Sequence, residues 1–265
     1  VDQTKLLLDS TSTEEEAIAP GYVVERRFFI RVTSMATVAL AFASPGHGFA
    51  RDSDPTGVIP SVTPYMDAPL DFEAFVKECA ELAKIAHQEA GLNEEAHIFR
   101  LSAAASRLRV ASVPKGKLGA FAGLNPPVEF GPLRIAAPLA IIQWRLAPGA
   151  TLPAHNHNPA DVISLCIEGA CTVRHFEIVG SAPDYSAKDT FQIRESRNDL
   201  LTPGRMSSLS TVRDNIHTFH AGKDGAMGID INSVLPGDKP FSFLDIADKP
   251  RDSQSRIYDA AWKKL

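Results

Sequence analysis

The 265-residue sequence predicts a mainly β protein, an antiparallel barrel or double-sheet jelly roll, with a helical segment ahead of it. Three observations carry this. From about position 133 onward, short apolar segments alternate with turn residues: RIAAPLAIIQWRLA, DVISLCI, ACTVRHFEIV, DTFQIRESRNDLL, MSSLSTV, IHTFHA and AMGIDINSV, which fit strands of roughly five to ten residues. No amphipathic helix intervenes between them. That argues against a doubly wound parallel sheet and for an architecture that buries inner faces and leaves few edges. Before this region, Phe72, Phe75, Val76, Cys79, Leu82, Ala83 and Ala86 recur at helical spacing over 71–90, with Asp71 able to cap the start and Gly91 at the stop.

In chain order, residues 25–31 read ERRFFIR and are followed by the apolar stretch VTSMATVALAFA and then SPGHGFA. An arginine pair, a short apolar run and small residues form the layout of a secretory signal. It is similar to a twin-arginine export signal, with Phe29, Ile30 and Arg31 in the positions usually held by Phe, Leu and Lys, and Glu25 in place of Ser or Thr. Residues 1–50 are therefore expected to direct export to the periplasm, with cleavage after Ala50; the plain alternative is an amphipathic N-terminal helix that packs on the domain. The apolar run is too short for a permanent anchor. Residues 51–127 hold a polar lead-in, the helix over 71–90, a second over 94–107, and the Gly- and Pro-rich KGKLGAFAGLNPPVEFGP, which breaks regular structure. Residues 128–265 form the barrel and its tail, in which Ile257, Tyr258, Ala261 and Trp262 suggest a short packed helix.

Lys and Arg number 27 against 32 Asp and Glu, so no positive surplus exists to neutralise a phosphate backbone and nucleic acid is not an expected partner. Three cysteines, Cys79, Cys166 and Cys171, are too few for a disulfide framework. A two-residue turn at Glu168-Gly169 would place Cys166 and Cys171 opposite each other on neighbouring strands, as packed thiols or a cross-strand disulfide.

The chemistry-bearing residues are histidines. His155 and His157 alternate on one strand, so both side chains point the same way and offer two neutral imidazoles to one metal ion. His217 and His220 are candidates for a third ligand, and only one of them can share the cluster's face. Two buried structural histidines are the plain alternative.

The segment PGATLPAHNHNPADVISLCIEG resembles the first cupin motif, with Gly149, His155, His157 and Gly169 in order, one extra residue before the last glycine, and Asp161 where glutamate is usual. The resemblance implies a double-stranded β-helix barrel. Asp161 then either joins the histidines as a ligand or stands behind them, orienting a histidine or bound water. The run Asp214-Asn215-Ile216-His217-Thr218-Phe219-His220-Ala221 is similar to the G-N-I-H-x-F-x-A segment of the thiol dioxygenases, the plant cysteine oxidase and aminoethanethiol dioxygenase type, and it selects His217 over His220. Asp230 in GIDIN matches that group's functional aspartate, one residue out of register. The resemblance covers 141–235. No cysteine stands five residues after His157, where Val162 lies, so no thioether crosslink is expected.

The likeness implies one ferrous ion per chain on His155, His157 and His217, with nickel, manganese or zinc as alternatives, and oxidation of a small thiol by dioxygen to its sulfinate. Asp230 is expected to serve as an acid/base or orienting group, and Asp161 to anchor a substrate amine or tune a ligand. Gln143 and Arg145 share a strand face opposite Trp144 and either line the cavity or face solvent, the default side. Another metal-dependent cupin enzyme, acting on a carbon substrate or as an isomerase, would use the same histidines, and a binding cupin would not need turnover. A homodimer through barrel edges is compatible with the reading.

Overall fold

The computed structural model describes residues 68–263 apart from 188, 238, 239 and 253, so the export signal expected over 1–50 lies outside the described residues. The helix α1 (Phe72–Gln88) starts where Asp71, in extended backbone, accepts a hydrogen bond from the Ala74 amide. This satisfies one of the amides that a helix start leaves unpaired. Helix α2 (Glu94–Ser106) is capped in the same way by Asn93 and Ala96. Both helices end slightly earlier than the sequence pattern predicts, which is ordinary fraying of a last turn.

Ten strands follow: β1 (Gly119–Ala120), β2 (Val128–Ala136), β3 (Leu139–Leu146), β4 (Thr151–Asn156), β5 (Ala160–Val179), β6 (Phe191–Leu201), β7 (Met206–Leu209), β8 (Ile216–Val234), β9 (Phe243–Ile246) and β10 (Ile257–Lys263). All their pairings are antiparallel. The pairings β8–β4–β9–β10–β6–β5 return to β8 and close a six-stranded barrel. β3 and β2 extend the wall from the second half of β8, and β7 extends it from the first half of β5.

Strands β5 and β8 pair along most of their length, and a bulge between Gly169 and Cys171 bends them together. Gly169 has φ 69°, and a Cβ there would lie 2.1 Å from the Gly225 carbonyl oxygen, so only glycine fits the bend. This corrects the expected hairpin turn. Cys166 and Cys171 lie on one continuous strand, and both are buried free thiols. The tail is also corrected: 257–263 is strand, and Tyr258, Ala260 and Trp262 alternate inward at period two where a helix was expected.

The helices cover one face of the extended wall. Phe75, Ile98 and Leu101 pack against Ile141, Ile163, Leu165, Ile229 and Ile231. Burying each such side chain contributes about 1.5–3 kcal/mol. Because the helices cover one face and the barrel interior the other, the central strands are apolar on both sides. Among the described residues no helix is long and apolar enough to cross a membrane.

Candidate metal centre

His155 lies on β4 and His217 on β8 as register partners. His157 is the first residue beyond β4, and its amide remains bonded to the Asn215 carbonyl at 3.2 Å, so the alternation that aims it with His155 continues past the strand end. The three rings meet. Their Nε2 atoms are separated by 3.0 Å (155 to 157), 2.9 Å (157 to 217) and 3.1 Å (217 to 155).

That spacing fits one ion. A metal bonded to each nitrogen at about 2.1 Å with right angles between the bonds requires nitrogens about 3.0 Å apart, whereas tetrahedral angles would spread them to about 3.4 Å. The triangle therefore offers one face of an octahedron, leaving the opposite positions for substrate and solvent. His155 Nδ1 lies 2.8 Å from the Pro153 carbonyl, so it carries the proton and leaves Nε2 as a lone pair facing the centre. The Asn232 side chain lies beside the His157 ring and acts against the lowering of its pKa. Burial holds all three imidazoles neutral, His155 being pushed down to about 4 and the other two well below the ordinary value, where neighbouring histidines add to the effect. Neutral imidazoles are the form that binds metal.

His220 points away from the cluster, is exposed, and meets Thr151 Oγ1 at 2.9 Å through Nδ1. Asp161 is also turned away. It pairs with Ser233 on the face of β5 that carries Ile163, and its carboxyl is set against Glu94 of α2. Neither oxygen makes a well-formed hydrogen bond among the described residues, and burial, then the Glu94 charge, raise its pKa to about 8 against a weaker opposing effect of the Thr211 amide. Asp161 neither joins the triangle nor touches a ligand. Asp230 does lie inside the barrel, where it accepts a hydrogen bond from Trp144 Nε1 at 3.0 Å; burial raises its pKa to about 6, against the opposing effect of bonds from Ser164 and Trp144. Gln143 is buried on the outer side, with Oε1 accepting from the Gly116 amide, and Arg145 pairs with Glu129 in solvent.

Sequence reasoning missed Trp144, Asn232 and His175. His175 is the partner of His217 on the other side of β8, fully buried, with ring centroids 5.7 Å apart. Its Nε2 is 2.7 Å from Ser207 Oγ, which in turn donates to Asp199 at 2.6 Å. Nothing in ACTVRHFEIV marks this position; only the β5–β8 register reveals it. Phe241 and Phe243 pack on the His155 ring, and Phe219 on the His217 ring, so apolar surface encloses the nitrogens.

The fold is a cupin jelly-roll barrel with a three-histidine site able to hold a divalent metal ion. No protein-family model matches the chain, and no curated protein matches it. Solved structures with a similar fold are remote. KdgF from Halomonas sp. is 17% identical, with 40% of this chain and 78% of that one covered and a TM-score of 0.29. Recombinant oxalate oxidase in complex with glycolate is 20% identical over 44% of this chain, at a TM-score of 0.32, and the matched part spans about half of that protein, 54%. A Klebsiella pneumoniae protein with a double-stranded β-helix domain is 13% identical, covering 53% of this chain and 95% of that one, with a TM-score of 0.34.

Proposed function

We propose that this protein is a mononuclear metal-dependent enzyme working from the His155, His157 and His217 face and, within that class, a non-haem iron(II) dioxygenase that converts a small thiol to its sulfinate. The carrying observation is the near-equal Nε2 triangle of 2.9–3.1 Å, buried and made only of neutral ligands. The thiol reading rests on the similarity of 214–221 and Asp230 to the thiol dioxygenase segments.

Ferrous iron bound there would supply a cationic centre, its charge uncancelled by the ligands, that favours an anionic thiolate and activates dioxygen. Both oxygen atoms end on sulfur, the electrons come from sulfur alone, and the thiol proton is released, so no further reductant is required. Asp230 accepts that proton at its carboxylate, held in place by Trp144 and Ser164. Phe219, Phe241 and Phe243 keep bulk water off the nitrogens. Export to the periplasm belongs to the same proposal and is checked by cell fractionation with Arg26 and Arg27 changed to Lys.

Asp230 also favours a second reading. A buried carboxyl with a pKa of about 6 suits proton abstraction from carbon, as in a metal-dependent isomerase or a dioxygenase with a carbon substrate. Oxygen uptake by the iron-loaded protein with cysteine, cysteamine and mercapto acids separates the two. Uptake matched by sulfinate supports thiol oxidation. No uptake with iron bound, together with manganese- or nickel-supported turnover of carbon acids, moves the assignment to the second reading.

A further inference from the structure

A groove of about 490 Å3 lies on the outer wall where β6 turns into β7, with Ser102 of α2 on its other side. Its polar groups are two arginines, one carboxylate, one amide and four hydroxyls. Arg197 and Asp199 neutralise each other at 2.9 Å and are engaged inward, Arg197 donating to the Ser208 carbonyl at 2.6 Å and Asp199 accepting from Ser207. Arg205 differs from them. Its side chain is exposed in the groove and has no ion-pair or hydrogen-bond partner among the described residues, and the same holds for the hydroxyls of Ser102, Thr202 and Ser208.

The backbone that presents Arg205 is fixed. Its amide bonds to the Thr202 carbonyl at 2.8 Å, its carbonyl accepts from the Cys166 amide at 3.0 Å, and the Gly204 amide reaches the Cys166 carbonyl at 3.0 Å. A ligand therefore meets a guanidinium presented from a fixed point on the barrel wall, with the side chain's own rotamers ordered only on binding. Leu200, 63% exposed, and Met206 add an apolar side.

We propose that this groove binds a small organic carboxylate, with the carboxylate on the Arg205 guanidinium and neighbouring hydroxyls and the hydrocarbon portion against Leu200 and Met206. A planar guanidinium matches a carboxylate through paired charge-assisted hydrogen bonds. A cation finds no free carboxylate here, because Asp199 is already engaged. The site is separate from the histidine triangle and does not require a metal, although its floor residue Ser207 is bonded to His175 behind His217.

Calorimetric titration of the full chain with butyrate tests this, with butylammonium and inorganic phosphate as comparison probes. The expected result is saturable one-to-one butyrate binding, no butylammonium binding, and affinity weakened about ten- to a hundredfold in Arg205→Ala. Leu200→Ser is expected to weaken butyrate less. Since the Arg205 side chain has no partner to lose, its variant should keep the parent melting temperature, so a loss of binding reports on the site. Absence of saturable butyrate binding, unchanged affinity in Arg205→Ala, equal binding of butylammonium, or phosphate binding more tightly than butyrate would overturn the proposal.

Discussion

His155 and His217 are cross-strand partners on β4 and β8, with Nε2 atoms 3.1 Å apart despite a separation of 62 residues in sequence. Barrel closure brings them together, so metal affinity and barrel integrity are linked. Adding ferrous or cobalt ion to chelated protein is expected to raise the melting temperature, the gain approaching about 3 kcal/mol when free metal is a hundredfold above its dissociation constant. His217→Ala should lose both the gain and the bound metal, as read by calorimetry and elemental analysis.

Asp230→Asn should leave metal content unchanged and lower kcat by about a hundredfold, the usual scale for losing a proton-transfer group. The parent's activity should rise with pH through about 6 as Asp230 ionises, and the variant should lack that limb. A pH–rate profile of the two proteins checks this.

Asp161 produces an opposite pH effect, this time on stability. Its folded pKa, raised to about 8 by burial and Glu94, lies far above its ordinary 3.8. Between those values the folded state holds a proton that the unfolded state has released, so stability falls as pH rises across the window and levels off above about 8. Asp161→Asn removes this slope and is expected to be more stable than the parent by about 5 kcal/mol at pH 8, and by much less near pH 4. Urea unfolding at several pH values would show a constant difference if Asp161 does not hold the proton.

Gly228 faces Trp144 so closely that a Cβ would lie 2.2 Å from Cζ2 and 2.4 Å from the Leu165 carbonyl oxygen. Gly228→Ala should cost about 1–3 kcal/mol through overpacking. It should also displace the indole from Asp230, seen as a shift in tryptophan fluorescence alongside the loss of stability.

Cys166 and Cys171 are buried, and burial pushes their thiols up to about 11 and about 12. Neither should react with a disulfide reagent in the native protein, while both should react after unfolding. Rapid native labelling at either position would contradict the packing described.

Much of the site was legible because its signals are local. The two-residue spacing of His155 and His157 fixes their common direction on a strand, and Asp71 with its apolar stripe marks α1. His217 was separated from His220 by alternation and motif together, and the barrel face agrees. The direction of Asp161 was not legible. β5 is buried on both faces, so the apolar run 160–167 carries no polar alternation to show which side looks inward.

The sequence by itself determined the two helices, the run of strands from β2 to β8, the antiparallel class and the candidate histidines, since periodicity and caps act over a few residues. Tertiary structure alone decided that 167–170 bends a continuous strand, that 257–263 closes the barrel as β10, that Asp161 faces a helix and Asp230 the interior, and that His175 stands behind His217. These depend on register and on which face a second layer covers, and both are set by pairing between segments far apart in the chain.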